Sequence, residues 1–333
     1  MHIGNMNKMF EEIIKIAELP LKWQKLNNKT ILISGGTGFI GSWIIDVIKY
    51  RNEKYNSGIK VVCPSRHRFK SDSTVEYIEQ DITNPIVYNG NVDYIMHLAS
   101  NTHPKQYFDD PVGTITTNII GCNNLLKVAK EKNVKRFLLA SSVEIYGQGM
   151  NTAMTEDYCG YIDCNNARNG YNESKRTCES LCQSYKQQYE IDFVTVRLAR
   201  VFGPDKKEDT KAISQFIDKA VNNKDIVLNS TGMQRYSFLY IADAVSGIFH
   251  VLLNGTNGEA YNIAADDEGM TLGEYAEYIA QLSNKNVIYD IKKSDSVSNA
   301  TFALLNTEKI KSIGWKPIYS VREGLKKTYN YLI

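Results

Sequence analysis

Tyr171 and Lys175 are the residues of this chain whose types and spacing most directly indicate catalysis. They lie at the start of a segment rich in helix-forming residues, so a helix would place them on one face, one turn apart. A tyrosine phenol has a pKa of about 10 and acts as a base at neutral pH only where a nearby cation favours its phenolate. The lysine would supply that cation, although a chain with 21 tyrosines also contains such pairs by chance, and the alternative is a surface pair.

Ser142 strengthens the catalytic interpretation because it follows a predicted strand, Arg136 to Ala140. Open α/β sheets bind their ligands beyond the carboxyl ends of the strands. At that edge Ser142 could hydrogen-bond a substrate hydroxyl group while Tyr171 accepts its proton and a hydride leaves the same carbon for a nicotinamide. The three residue types therefore fit a single dehydrogenation.

A glycine-rich turn follows the continuous apolar strand Thr30 to Ser34 and precedes a helical pattern from Phe39 to Ile48. Glycine is needed where the backbone turns with positive φ, where a diphosphate approaches the main chain, and where helix and strand touch. The helix N-terminus would offer unpaired N–H groups to that diphosphate. A tight connection is the alternative for glycines alone, but the flanking strand and helix favour dinucleotide binding. The residues predicted to hold the dinucleotide here are Gly35, Thr37, Gly38, Phe39, Ile40 and Gly41.

The second predicted strand, Ile59 to Cys63, is not followed by the acidic residue that would bind the ribose 2′-hydroxyl group of NAD. Ser65 and Arg66 stand there instead and could hold a 2′-phosphate, so NADP is an alternative cofactor to NAD; otherwise Arg66 is a solvated loop cation. Asp81 and Ile82, after a third strand, are placed to contact adenine, although an aspartate at a strand end is commonly a turn former.

The elements that must position these residues alternate between strand and helix, which predicts an α/β fold with a doubly wound parallel sheet. Further strands are expected at Tyr94 to Leu98 and Arg136 to Ala140, with a helix from Ile115 to Ala129 between them. We expect an N-terminal helical extension over residues 1–28, which acts as a lid or a packing accessory, and a dinucleotide-binding domain over 29–200. Residues 201–333 should form mainly a smaller substrate-binding lobe, with some segments returning to the first domain, and Thr271 and Glu274 predict a capping box there.

Composition excludes several other functions. The net charge of +2 arises from interleaved charges and argues against nucleic-acid binding. No apolar run reaches the length of about 20 residues that a membrane helix needs, and no secretion signal is recognisable, which favours a cytoplasmic protein. The six cysteines show no metal-binding spacing, so we expect reduced thiols and no metal.

Taken together, these motifs resemble the extended short-chain dehydrogenase/reductases, a Rossmann-fold family that modifies nucleotide sugars. The resemblance covers nearly everything after residue 28. It implies Ser142, Tyr171 and Lys175 as the catalytic triad, a nucleotide-sugar substrate, and a homodimer formed through the helices that bear Asn118 and Tyr171. It also places Leu98, Ala99 and Ser100 beside the cofactor. The residues that carry the resemblance are Gly35 to Gly41, Asp81-Ile82, His97 to Ala99, Asp110-Pro111, Asn118, Gly121, Ala140 to Gly147, Tyr171 to Lys175, Gly203-Pro204, Tyr261 to Ile263 and Gly314 to Pro317.

Glu144 bears on which reaction follows, because family members that dehydrate or decarboxylate the sugar after C4 oxidation are similar in having a glutamate here. A C4 ketone acidifies the C5 proton and turns a C6 carboxylate into a β-keto acid, so a base nearby has a role; a structural carboxylate is the alternative. Dehydratases often carry an acid at the preceding position, where this chain has Val143. The segment from residue 167 to 181 looks most like UDP-glucuronate decarboxylases, but Arg200 replaces the family's asparagine before Gly203.

Two arginines are candidate substrate ligands, since a planar guanidinium suits phosphate. Arg235 lies where relatives use an arginine on the nucleotide diphosphate, and Arg200 is the second candidate; an unpaired surface arginine is the alternative for each. Asp243 is expected to be a helix N-cap rather than a catalytic acid. His97 is expected to be a hydrogen-bonded core histidine near the cofactor.

Three functions compete at this stage. The leading one is an NAD(P)-dependent enzyme that oxidises C4 of a nucleotide sugar to a ketone and then decarboxylates, dehydrates or epimerises it. The second is an NADPH-dependent 4-ketosugar reductase, favoured by Arg66 and by the missing acid after the second strand. The third is a non-catalytic dinucleotide-binding subunit, against which the intact Ser142, Tyr171 and Lys175 argue. The sequence leaves the sugar, the base and the product open.

Overall fold

The computed structural model of the chain describes residues 3–101, 104–205, 211–266, 269–291 and 302–333. Up to residue 142 its elements are α1 (Ile3–Ala17), β1 (Thr30–Ser34), α2 (Phe39–Tyr55), β2 (Lys60–Ser65), β3 (Val75–Glu79), β4 (Tyr94–His97), α3 (Pro104–Asp109), α4 (Pro111–Glu131) and β5 (Arg136–Ser142). Beyond it they are α5 (Gly170–Tyr189), β6 (Phe193–Leu198), β7 (Arg200–Phe202), α6 (Ala212–Val221), β8 (Ile226–Leu228), β9 (Arg235–Tyr236), β10 (Phe238–Tyr240), α7 (Ile241–Asn254), β11 (Ala260–Ile263), α8 (Leu272–Leu282), β12 (Val287–Tyr289), β13 (Phe302–Ala303), α9 (Glu308–Ser312) and α10 (Val321–Leu332).

The main sheet has the strand order β11-β6-β5-β4-β1-β2-β3, and all of its neighbouring pairs are parallel. The chain begins at β1, moves outwards through β2 and β3, and then crosses back to β4 on the other side of β1. The carboxyl ends of β1 and β4 therefore flank the point where the strand order reverses. Sheets of this kind bind their ligands at that point.

Both faces of the sheet are buried, as the continuous apolar strands predict. Along β1, Ile31 and Ile33 belong to one hydrophobic core and Leu32 to another. Because successive side chains of a strand point to opposite faces, the two cores lie on opposite sides of the sheet. Helix α2 contributes Ile44 to the first core and α4 contributes Leu125 to the second. The predicted α/β fold with a doubly wound parallel sheet is confirmed.

Helix α4 begins earlier than the predicted Ile115, because its start is capped. Asp110 is the N-cap, its side chain accepts a hydrogen bond from the Gly113 N–H at 2.9 Å, and Pro111 occupies the first turn. Proline is suited to that position since its missing N–H has no partner there in any helix. Because of this early start, α4 begins two residues after the end of α3 at Asp109.

The late segments form short parallel pairs, β7 with β10, β8 with β12 and β9 with β13, together with α6 and α8. The predicted capping box is present: the Thr271 hydroxyl group accepts from the Glu274 N–H, and the Glu274 carboxylate accepts from the Thr271 N–H. Strand β11, by contrast, completes the edge of the main sheet beside β6. The chain thus returns to the main sheet at β11, between two sets of late segments.

The N-terminal helix α1 packs against α2, α7 and α10. Its Glu12 is 1% exposed, accepts a hydrogen bond from the Tyr240 hydroxyl group at 2.7 Å, and pairs with Lys327 at 3.1 Å. A buried carboxylate with two partners fixes the helix in one position, because leaving those partners unpaired would cost free energy.

Among the described residues no helix is both long and apolar enough to span a membrane. The same part of the chain contains no cluster of three or more histidine, cysteine or carboxylate side chains that could hold a metal ion. All six cysteines are free thiols.

Candidate active site

The glycine turn between β1 and α2 is built from close backbone contacts. Gly35 has φ +76, and a Cβ atom at this position would lie 2.7 Å from the Ala99 backbone nitrogen. A Cβ atom on Gly41 would collide with the Gly35 carbonyl oxygen. Only glycine fits both positions, so the turn brings the start of α2 directly against the ends of β1 and β4.

The N-terminus of α2 is open to a ligand. Gly38 is its N-cap, and no side chain makes a capping hydrogen bond there. A Cβ atom on Gly38 would meet only the Gly35 carbonyl oxygen, at 3.2 Å. The unpaired N–H groups of the first helical turn and the helix dipole therefore suit the diphosphate of a dinucleotide. Residues Gly35 to Gly41 fit that group.

The residues predicted at the adenosine end lie beyond β2 and β3. Arg66 is exposed directly after β2, and no acid stands beside it. The Asp81 carboxylate accepts hydrogen bonds from the Thr83 N–H and hydroxyl groups, both at 2.9 Å, so it stabilises its own turn. Ile82 is buried against Gly121 of α4. Their contacts with a cofactor stay predictions.

A hydrogen-bonded chain connects the end of β4 to the catalytic helix. The Ser100 hydroxyl group donates to the Asn118 side chain at 2.7 Å, and the Asn118 amide donates to the Ser174 hydroxyl group at 2.9 Å. His97 is buried with Nδ1 at 2.7 Å from the Ser34 hydroxyl oxygen, as expected of a core histidine. Burial lowers the pKa of His97 to about 3, so its ring is neutral beside the cofactor site.

Ser142, Tyr171 and Lys175 converge at the carboxyl end of β5. Ser142 is the last residue of that strand, and its hydroxyl group accepts a hydrogen bond from the Glu144 N–H at 3.2 Å. Tyr171 is 5% exposed and Lys175 is 3% exposed, both in the first turns of α5. The Lys175 Nζ atom donates to the Ala140 carbonyl oxygen at 2.8 Å and lies 5.9 Å from the centre of the Tyr171 ring. A buried ammonium group is thus held between strand and phenol.

Tyr107 of α3 is part of the site and was not found from the sequence. Its ring stacks on that of Tyr171, with centroids 4.5 Å apart and an angle of 16° between the planes. Burial, with the nearby Tyr171 and Glu144, raises the pKa of Tyr107 well above its ordinary value, so it stays protonated. One tyrosine among 21 carries no sequence signal of its own; only the position of α3 beside α5 reveals it.

Glu144 and Arg200 form an ion pair in the same site. The Arg200 Nη2 atom lies 3.2 Å from Glu144 Oε1. The Asn172 side-chain amide donates to the Glu144 carbonyl oxygen at 2.7 Å and reaches Oε2 at 3.5 Å. The Arg200 guanidinium also lies over the Tyr236 ring, 3.9 Å from its centre. Glu144 is therefore held by a neighbour of Tyr171 on one side and by Arg200 on the other.

Arg235 and Asp243 form hydrogen bonds with other segments of the chain. Arg235 is exposed on β9, and its Nη1 atom donates to the Gly269 carbonyl oxygen at 3.2 Å. The expectation that Asp243 caps a helix is wrong: α7 begins at Ile241 after the N-cap Tyr240, which places Asp243 inside the first turn. Asp243 is fully buried, and it accepts a hydrogen bond from the Ile318 N–H. Burial raises its pKa to about 7.

The doubly wound sheet and the glycine turn are typical of dinucleotide-dependent enzymes. Residues 31–264 match the NAD dependent epimerase/dehydratase family. The chain therefore belongs to that family, as its resemblance to extended short-chain dehydrogenase/reductases predicted, and it is an enzyme of this NAD-dependent family.

Relatives with known functions include UDP-glucuronic acid decarboxylase 5 of Arabidopsis thaliana, 32% identical over 317 residues, which cover 92% of this chain and 90% of that protein. UDP-glucuronic acid decarboxylase 1 of Xenopus tropicalis is 28% identical over 98% of this chain and 81% of its own length. Among solved structures, UDP-glucose 4-epimerase of Thermotoga maritima superposes with a TM-score of 0.78 at 23% identity, covering 91% of this chain and 98% of that one. UDP-glucuronic acid 4-epimerase of Bacillus cereus gives 0.77 at 23% identity, covering 91% and 99%. These two structures share the fold.

Proposed function

We propose that this enzyme oxidises the C4 hydroxyl group of a UDP-linked uronic acid and then releases the C6 carboxyl group as carbon dioxide. The observation that carries the proposal is the convergence of Ser142, Tyr171 and Lys175 with the Glu144–Arg200 pair at the carboxyl end of β5. The similarity to UDP-glucuronic acid decarboxylases over nine-tenths of the chain supports it.

In the first step the chain's own residues move a proton. Residues Gly35 to Gly41 and Leu98 to Ser100 would hold NAD, which would accept the hydride from C4. The Ser142 hydroxyl group hydrogen-bonds the C4 hydroxyl group, and Tyr171 takes its proton. The Lys175 Nζ atom lies 5.9 Å from the centre of the Tyr171 ring, and both side chains are buried, so solvent screens their electrostatic interaction little.

Decarboxylation follows from the chemistry of the ketone. In a 4-keto uronic acid the C5–C6 bond breaks, its electron pair moves into an enolate over C5, C4 and O4, and carbon dioxide leaves. A proton then returns to C5, and the first step runs in reverse to give a redox-neutral reaction. We assign the transfer of this proton to C5 to Glu144. Val143, which has no acidic group, disfavours the loss of a 6-hydroxyl group that dehydration requires.

A panel of nucleotide sugars tests this proposal. Mass spectrometry should show carbon dioxide and a UDP-pentose from UDP-glucuronate, and no 4-keto-6-deoxy product from UDP-glucose. In Glu144→Gln, oxidation should continue while formation of the UDP-pentose stops. An unaffected Glu144→Gln enzyme would instead indicate an epimerase or a reductase.

A 4-ketosugar reductase that uses NADPH is the second candidate, and the observation that favours it is the exposed Arg66 at an end of β2 that carries no acid. Such an enzyme would bind NADPH at least tenfold more tightly than NADH, and Arg66→Ala would remove that preference. If the wild-type protein bound NADH as tightly as NADPH, or more tightly, this candidate would be excluded.

We also propose a homodimer formed through α4 and α5. Helices α3 and α4 leave Phe108 85% exposed, Val112 71% exposed and Ile120 41% exposed. Light scattering after gel filtration should give twice the mass of 37.7 kDa, and Val112→Lys with Ile120→Lys should give the monomer. We propose that the enzyme is cytoplasmic, because the exposed Cys159 and Cys164 are free thiols. Conversion of a nucleotide sugar in the cytoplasm would serve polysaccharide biosynthesis.

A further inference from the structure

The Arg200 guanidinium is fixed by two partners but has one unused donor. Its Nη2 atom pairs with Glu144, and its plane lies over the Tyr236 ring. Its Nη1 atom is buried and has no hydrogen-bond partner among the residues that the structure describes. A buried guanidinium N–H group without an acceptor is unfavourable, so a ligand oxygen that reached it would gain a charge-assisted hydrogen bond.

The position of this donor limits which ligand oxygen can reach it. Arg200 contacts Glu144, whose backbone carbonyl oxygen is bound by Asn172, the residue next to Tyr171. On a sugar whose C4 hydroxyl group meets Ser142 and Tyr171, the groups on C3 and C5 are one bond from C4 and can reach the Glu144–Arg200 pair. The C6 substituent, two bonds from C4, is the nearest group whose charge differs between sugars.

We propose that Arg200 binds the C6 carboxylate of the substrate and makes the site specific for uronic acids over neutral hexoses. This inference rests on the proposed C4 oxidation at Tyr171. A neutral C6 hydroxymethyl group would gain one ordinary hydrogen bond from Nη1, whereas a carboxylate gains a charge-assisted one. Arg200 also neutralises Glu144; without it, the Glu144 carboxylate and the substrate carboxylate would repel each other.

The same geometry predicts how Arg200 divides its effect between binding and turnover. Arg200 stabilises a full negative charge on the carboxylate, and that charge moves towards C5 and O4 as carbon dioxide departs. Its interaction is therefore stronger with the bound substrate than with the transition state of decarboxylation. Removing an interaction that is stronger with the bound substrate raises KM and does not lower kcat.

Arg200→Asn tests the inference, because asparagine keeps a hydrogen-bond donor and loses the charge. Calorimetry should show UDP-glucuronate binding about 10- to 100-fold more weakly to the variant, the equivalent of one charge-assisted hydrogen bond. The affinity for UDP-glucose, which has the same diphosphate, should change less than threefold. In steady-state assays KM for UDP-glucuronate should rise at least tenfold while kcat does not fall. The matched control is Arg322→Asn on α10, which removes another arginine that lies over a tyrosine ring, that of Tyr278. This variant should change the affinity for neither nucleotide sugar.

Three outcomes would overturn the inference. If the variant bound UDP-glucuronate and UDP-glucose more weakly by the same factor, Arg200 would contact the diphosphate instead. Unchanged binding with lost kcat would make Arg200 a residue that only orients Glu144. Failure of Glu144→Gln to recover part of the lost affinity in the Arg200→Asn background would exclude the predicted charge repulsion. The proposed function fails in a different way: the wild-type enzyme would then bind UDP-glucuronate in preference to UDP-glucose and still produce no carbon dioxide.

Discussion

Asp243→Asn should flatten the dependence of stability on pH without removing activity. Asp243 lies in the first turn of α7, is fully buried, and has a carboxyl oxygen, Oδ2, with no hydrogen-bond partner among the described residues. Burial raises its pKa from 3.8 to about 7, against the opposing effect of the Ile318 N–H group that it accepts from. Strongly shifted carboxyl groups often mark catalytic acids. This one contacts backbone near α10 instead, so we expect a structural role.

The magnitude follows from proton linkage. The unfolded chain releases this proton near pH 3.8, whereas the folded chain holds it up to about pH 7. Between those values the folded state binds more protons than the unfolded state, so the free energy of unfolding falls as the pH rises. A shift of about three units corresponds to about 4 kcal/mol, reached in full above pH 7.

Urea unfolding of both proteins at intervals from pH 4 to pH 8 measures this effect. Asparagine keeps the acceptor for Ile318 and leaves a buried amide whose cost does not depend on pH, so the difference between the two proteins isolates the Asp243 carboxyl group. The variant should gain about 2 to 4 kcal/mol relative to wild type between the ends of the range. A constant difference across the range would refute the reasoning. Loss of turnover at unchanged stability would show that Asp243 is catalytic.

Further predictions concern the glycine turn, the N-terminal helix and the core histidine. Gly41→Ala should weaken NAD binding at least tenfold by calorimetry, because its methyl group collides with the Gly35 carbonyl oxygen and displaces the start of α2; wild-type affinity would contradict this. Glu12→Ala should destabilise the protein by about 2 to 3 kcal/mol in urea, and Glu12→Gln by less, since only alanine leaves the Tyr240 hydroxyl group unpaired; equal effects would show that the hydrogen bond contributes nothing. His97→Gln should reduce the loss of stability below pH 6.5, since a histidine with a folded pKa of about 3 is protonated first in the unfolded chain.

The sequence predicted those parts of the molecule that depend on local patterns. The apolar strand Thr30–Ser34 and the glycines after it define β1 and the turn, because burial on both faces and positive φ leave few alternatives. The Tyr171 and Lys175 pair was predictable because helical spacing alone brings the two together.

Contacts between distant segments were not predictable in the same way. Tyr107 reaches Tyr171 only because α3 packs beside the start of α5, and no spacing in the sequence expresses that contact. Arg200 was recognised from the sequence as a departure from the family. Its contact with Glu144 was not, because Arg200 begins β7 whereas Glu144 follows the end of β5. Asp243 was misplaced as a cap because the start of α7 depends on the backbone of Tyr240, which ends β10; the N-cap lies three positions before the expected one.

The central claim is that Tyr171, as the phenolate, accepts the proton of the substrate's C4 hydroxyl group, and Tyr171→Phe tests it most directly. Phenylalanine keeps the ring that stacks on Tyr107 and removes only the hydroxyl group. Carbon dioxide release from UDP-glucuronate should fall by a factor of about 10² to 10⁴ while the NAD dissociation constant changes less than threefold. Turnover within threefold of wild type would contradict the account.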